Sequence, residues 1–227
     1  MTSYTAVIFD LGGTLMASTP WSEITAATQR TAAAVGAPPA EFTKSWVETY
    51  DAASRGAFRD MREYVANVCA QLGLHPGAAT LDAAVDSMLE DERRRIRTPR
   101  DGAMEVFAYL KAHRFKTGLI TSCGPDVPAV WSEAPYAKLI DVALFSCVEG
   151  INKDDPRIFW LAAHRLRVRP EDCLYIADGY RGELASATTL GMRAVQLSVP
   201  GEGERGRPRD PWDGPIISSL AEVLALV

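Results

Sequence analysis

The sequence predicts an α/β protein: a Rossmann-like parallel sheet with helices on both faces, interrupted near its start by an all-helical insert. Three observations predict it. A short apolar, β-branched run ends at an aspartate followed by two glycines. A long stretch rich in Ala, Glu, Arg and Met then shows helical spacing. After Pro99, strand-like and helix-like segments alternate, the pattern of a parallel sheet covered by helices. At 227 residues the chain holds one sizeable core plus at most a small second unit, so the division is uneven.

Taken in order, Tyr4-Thr5-Ala6-Val7-Ile8-Phe9 reads as a buried strand that meets a turn at Asp10. Helical spacing runs from about Pro20 to Arg97, broken at Gly36-Ala37-Pro38-Pro39 and near His75-Pro76-Gly77. A helix from Asp101 to His113 precedes a strand from Thr117 to Thr121, then a helix after Pro125 and a strand from Val142 to Ser146. A helix from Pro156 to Leu166, a strand from Cys173 to Ala177, a helix from about Glu183 to Leu190 and a strand from Ala194 to Leu197 continue the alternation. The stretch from Pro200 to Gly214 is rich in Gly, Pro and charge and reads as a surface excursion. Ile216-Ile217 forms a last strand, ahead of a helix from Leu220 to Leu226.

Composition narrows the function classes. Hydrophobic residues make up 47% and charged residues 23%, values of a folded enzyme rather than a disordered chain. A net charge of −5 without a basic stripe argues against nucleic acid as a partner. No apolar run approaches the roughly 20 residues of a bilayer span, and the N-terminus runs straight into a strand, so a cytoplasmic protein with no membrane partner is expected. Cys69, Cys123, Cys147 and Cys173 form no CxxC pair and read as core thiols of a reducing compartment.

In open parallel sheets, ligands settle beyond the carboxyl ends of the strands. Those positions hold Asp10, Thr121, Lys153 and Asp178. Asp10 enters a Gly12-Gly13 turn, a setting for an exposed nucleophilic carboxylate or, equally, for a turn-capping aspartate. Thr121 and Ser122 offer hydroxyls, with turn amides, to a phosphate oxygen or to the next helix. Asp178, with Glu183 five residues on, suits a hard cation.

In this order, the four segments resemble the four motifs of the haloacid dehalogenase superfamily, and the resemblance covers essentially the whole chain. VIFDLGGTL resembles motif one, with Asp10 as nucleophile, Gly13 and Thr14 in the phosphate-binding turn, and the Gly12 carbonyl as a metal ligand. GLITS resembles motif two, with Thr121 and Ser122 holding the phosphate. GINKDDPRIF resembles motif three through Lys153, although the family commonly has proline where Asp154 stands. YIADGYRGELASATTLGMRAV resembles motif four, with Asp178 as a metal-binding acid and Glu183 in the place of a second.

The spacing of motifs one and two resembles members with a helical cap. The resemblance then implies a core of residues 1–16 and 98–227 and a cap of residues 17–97 that selects substrate. Cap candidates are Trp21, Trp46, Arg55, Phe58, Arg59 and Arg62. The implied activity is a Mg2+-dependent phosphatase acting on a small phosphorylated metabolite, as monomer or homodimer, through an aspartyl-phosphate on Asp10.

One departure matters: hydrolytic members usually carry a second aspartate two residues after the nucleophile, which protonates the leaving group, and this chain has Gly12. Three readings stay open: a phosphatase whose acid/base comes from the cap or the substrate, a carbon-halogen or carbon-phosphorus hydrolase of the same superfamily, or a binding protein that has lost turnover. Lys44, the cap's one lysine, reads as solvated rather than as a Schiff-base former. His113 and His164 read as structural or exposed, and His75 is the histidine placed to substitute for the missing acid.

Overall fold

The computed structural model describes residues 4–202 and 209–227. Six parallel strands form one sheet in the order β3-β2-β1-β4-β5-β6. They are β1 (Ala6–Phe9), β2 (Lys116–Thr121), β3 (Val142–Phe145), β4 (Cys173–Ala177), β5 (Arg193–Leu197) and β6 (Ile216–Ile217). The chain begins at β1, lays strands outward on one side, then returns to continue on the other. This makes the C-terminal end of β1 the point where strand order reverses, the crevice where such sheets bind ligands.

β1 is apolar throughout because both faces of the sheet are covered. Val7 and Phe9 enter one cluster with Leu119, Leu174, Ile176 and the helix α5 (Ala103–Ala112) residues Val106 and Phe107. Ala6 and Ile8 enter the opposite cluster, with Ile158, Phe159 and Ala162 of α8 (Arg157–Leu166) and Leu184 and Ala187 of α9 (Glu183–Thr189). The alternation is the two-residue period of a strand.

Between β1 and α5 the chain forms α1 (Trp21–Val35), α2 (Pro39–Ser54), α3 (Met61–Gln71) and α4 (Ala78–Ile96). Gly36 in the left-handed conformation (φ 72°) ends α1, and Pro39 opens α2, so the predicted break serves as stop and start together. These helices share their own apolar cluster, including Ala32, Phe42, Trp46, Tyr64, Val65 and Leu81. Trp46 stacks on Tyr64 with ring centroids 4.1 Å apart.

Two short helices, α6 (Asp126–Val130) and α7 (Ser146–Glu149), follow β2 and β3. The second occupies a stretch expected to be loop, since β3 stops at Phe145 and Ser146 already turns helical. The expected C-terminal helix is a 3-10 helix over Leu220–Ala225, closed by a capping box of Ser219 and Glu222. Part of the expected surface excursion, 203–208, lies outside the described residues. Among the described residues, no helix is long and apolar enough to cross a membrane.

Candidate active site

Sheet register brings the predicted residues together. Phe9 pairs with Leu119 on one side and Ile176 on the other, so Asp10, Thr121 and Asp178 leave their strands at nearly the same height. The Asp10 amide donates to the Ile176 carbonyl at 2.9 Å, fixing where the carboxylate begins. Asp10, Thr121, Lys153 and Asp178 are all buried, and all line one cavity of about 930 Å³. Gly12 and Ser122 line it as well.

Both oxygens of Asp10 are held. Thr14 Oγ1 donates to Oδ2 at 3.0 Å, and Lys153 Nζ donates to Oδ1 at 2.5 Å. The same ammonium pairs with Glu183 Oε2, which also accepts from Tyr175 OH at 2.7 Å. The other Glu183 oxygen accepts the amides of Gly179 and Tyr180, each at 3.0 Å. Burial pushes the Glu183 carboxyl up, yet the Lys153 charge and these donors hold it below the usual range. For Lys153, burial disfavours the ammonium, but Asp10 and Glu183 outweigh it and raise its pKa. This lysine stays charged at any physiological pH.

Carboxylate oxygens of Asp10, Asp178 and Glu183 lie within 4.8 Å of one another. Three carboxylates face one bonded ammonium there, a hard, anionic donor set of the kind Mg2+ takes. The donor set therefore fits the ion.

Gly13 and Thr14, expected at the phosphate, lie in the turn that follows Asp10. The Gly13 amide donates to Met16 O at 2.8 Å, and its φ of 84° lets the chain reverse behind Asp10. Thr14 is fully buried and orients Asp10. Ser122 Oγ accepts the Lys153 amide at 3.4 Å, tying motif two to motif three. Sequence reasoning missed Arg100, whose guanidinium donates to the carbonyls of Thr14 (2.8 Å), Gly13 (3.0 Å) and Met16 (3.2 Å) and pairs with Glu202 at 2.8 Å. It braces the whole turn after Asp10.

Of the insert's candidates, Trp21 and Trp46 line the cavity. Arg59 pairs with Asp60 and Arg62 with Asp82 on the surface, while Phe58 stacks on Tyr64. Arg55 reaches Asp154 at 2.7 Å, so the residue that replaces the common proline anchors the insert to the core. Beside it, Asn152 Nδ2 donates to Ser54 Oγ at 2.8 Å, and Arg181 meets Asp51 at 3.2 Å. Tyr50, Tyr64, Glu92, Arg95, Asp126 and Arg181 also line the cavity.

Lys44 lies on an exposed face beside Glu48. His75, His113 and His164 are exposed and outside the cavity lining, so His75 is not in place to supply the missing acid. The four cysteines are free thiols; Cys123 Sγ lies 4.0 Å from Cys147 Sγ, which is partly exposed.

The chain is similar to several known proteins. A phosphoglycolate phosphatase of Pseudomonas aeruginosa is 25% identical over 198 residues, covering 85% of this chain and 68% of that protein. A glyceraldehyde 3-phosphate phosphatase of Pyrococcus furiosus is 25% identical over 129 residues, covering 56% of this chain and 53% of that protein. This chain spans half or less of several other curated relatives. Among solved structures, a 2-haloacid dehalogenase of Pseudomonas syringae superposes with a TM-score of 0.74 at 22% identity, covering 98% of this chain and 97% of that one, a likeness of fold. The profile of the haloacid dehalogenase-like hydrolases matches residues 4–191, and the chain belongs to that family of hydrolases.

Proposed function

We propose that this hydrolase is a Mg2+-dependent phosphatase that transfers the phosphoryl group of a small metabolite to Asp10 and then to water. The observation that carries the reading is Asp178, a second buried carboxylate beside the nucleophile, with Glu183 behind it. Without a cation, two further acids repel any anionic substrate, including a haloacid. With one, they become the device that brings carboxylate and phosphate together.

Asp10, Asp178 and the Gly12 carbonyl would hold the ion, which supplies charge neutralisation for an anionic nucleophile meeting an anionic substrate. Glu183, with four donors already on its two oxygens, serves chiefly to position Lys153. Thr14 and Lys153 present the Asp10 carboxylate in a single orientation. An Asp10 oxygen attacks phosphorus in line, and the bond to the leaving oxygen breaks; water then attacks the aspartyl-phosphate and frees inorganic phosphate. Thr121 and Ser122, at the cavity wall, and the Lys153 ammonium hold the transferring oxygens. Helices α1 to α4 act as the cap that admits and selects the substrate.

The test is phosphate release from a panel of phosphorylated metabolites, with Mg2+ or with a chelator, for the native protein and Asp10→Asn. Halide release from 2-haloacids runs alongside. Mg2+-dependent phosphate release that disappears in Asp10→Asn supports the reading. Metal-independent halide release without phosphate release overturns it.

A further inference from the structure

The Gly12 position leaves the site without the side chain that gives a proton to the departing oxygen. A substitute must be an acid or histidine that lines the cavity, is shielded from water, and has an oxygen or nitrogen not already committed. The histidines fail on position, being exposed and outside the cavity. Asp51 is exposed and bound to Arg55 and Arg181, and Asp91 is paired with Arg30 and Arg94. Glu23 is exposed at the first turn of α1. Asp126 holds backbone amides at the start of α6, its own and that of Val127.

Glu92 remains. It sits one turn before the end of α4, where that helix packs on α6, and its residue exposure is 4%. One carboxylate oxygen pairs with Arg95, one turn on; the other, Oε1, is buried with no hydrogen-bond partner among the described residues. A buried polar atom left unbonded is costly, and a catalytic duty is one of the reasons a native protein keeps one. Glu92 is among the residues that line the cavity shared with Asp10.

We propose that Glu92, presented by the insert, is the acid and base of the reaction in place of the aspartate that Gly12 lacks. This rests on the phosphatase reading above. In the first step an Asp10 oxygen bonds to phosphorus, the electron pair of the breaking P–O bond goes to the leaving oxygen, and the Glu92 proton follows it, releasing an alcohol. In the second, the Glu92 carboxylate takes a proton from water as its oxygen bonds to phosphorus. The pair of the Asp10–phosphorus bond returns to Asp10, phosphate departs, and Glu92 is protonated again. The environment suits both duties: burial first, then the negative charges of Asp126 and Asp91, push the Glu92 carboxyl up to about 7, against the pull of Arg95. Of the other charges packed against α4, Arg30 is taken by Asp91, Arg62 by Asp82, and Glu133 by Arg93 and Arg97; Cys123 and Tyr136 face Glu92 with raised pKa values, neutral at this pH.

The experiment is Glu92→Gln, isosteric and checked for native circular dichroism and melting, assayed with Mg2+ on two substrates. One is an alkyl phosphate that the native enzyme hydrolyses, whose leaving oxygen needs a proton. The other is 2,4-dinitrophenyl phosphate, whose leaving group does not. Since kcat/KM reports events through the first irreversible step, the variant is expected to lose on the order of 10²- to 10⁴-fold in kcat/KM on the alkyl phosphate and to keep it on the dinitrophenyl ester. With the activated ester it gives a burst of dinitrophenolate, slow turnover, and accumulation of enzyme heavier by one phosphoryl group. The fall of alkyl phosphate kcat/KM with rising pH that belongs to protonated Glu92 disappears. An equal loss on both substrates, or no loss on either, overturns the proposal while leaving the phosphatase standing. A native enzyme that releases no dinitrophenolate overturns the phosphatase reading and this proposal together.

Discussion

Replacing Glu183 with Gln changes one oxygen to an NH2 group and removes a charge without changing shape. The amide oxygen can keep the Gly179 and Tyr180 bonds, both at 3.0 Å. The NH2 group then faces Tyr175 OH and Lys153. A hydroxyl can rotate to accept a bond, but an ammonium has no lone pair to offer. The variant therefore loses one charge-assisted hydrogen bond, worth about 1.5–3 kcal/mol, while Lys153 keeps Asp10. Complete loss of a buried ion-pair partner costs about 3–5 kcal/mol, and the retained bond to Asp10 places this case below that range. We expect about 2–3 kcal/mol, a fall in melting temperature of about 4–12 °C for a domain of this size.

Urea denaturation at neutral pH, with a chelator present and the slope unchanged, measures it. The pH dependence has a definite sign. The Glu183 pKa is lowered on folding, so its contribution is complete above the unfolded carboxyl value of about 4.3 and fades as pH falls through the folded one. The stability gap between native protein and variant is thus full at neutral pH and closes in acid. A neutral-pH loss below about 0.5 kcal/mol, the size of an ordinary surface substitution, refutes the account of Glu183 as the buried partner of Lys153.

Three further outcomes are expected. Mg2+ at about a hundred times its Kd stabilises the native protein by about 2.7 kcal/mol, and Asp178→Asn abolishes the gain in a thermal melt. Arg100→Lys keeps the charge but cannot bridge the carbonyls of Gly13, Thr14 and Met16; the nucleophile turn shifts, and kcat falls about a hundredfold with little change in KM. Gly56 has φ 82°, and a Cβ there would lie 2.6 Å from the Cys147 carbonyl oxygen, so Gly56→Ala costs about 1–3 kcal/mol in urea denaturation.

The strands and their parallel arrangement were legible because a strand buried on both faces is a short apolar run, and such runs recur with helices between them. Asp10, Thr121 and Asp178 were legible because the sheet's carboxyl ends are where function collects, whereas Lys153, separated from β3 by α7, was legible only through the resemblance of its segment to motif three. Glu92 was hidden within Glu90-Asp91-Glu92-Arg93-Arg94-Arg95, which reads as a solvated helix face. Only packing of α4 on α6 turns one of those acids inward. Arg100 was hidden likewise, since three carbonyls converging on one guanidinium belong to tertiary structure. The bonds that Gly13 and Thr14 make depend on which way an amide and a hydroxyl point, a matter of torsion rather than of residue type.

The tether between insert and core has a consequence for protein engineering. Ser54, Arg55 and Gly56 form one unbroken segment, and it rests on Asn152, Asp154 and Cys147. Asn152 and Asp154 are the chain neighbours of Lys153, so this segment of the insert is fastened to the backbone on either side of the lysine. A chimera that imports the helices of a relative without this tripeptide would exchange more than the cavity lining. It would also loosen the lysine's own footing, and losses of turnover in such hybrids should be repaired by restoring those three residues before any pocket side chain is redesigned.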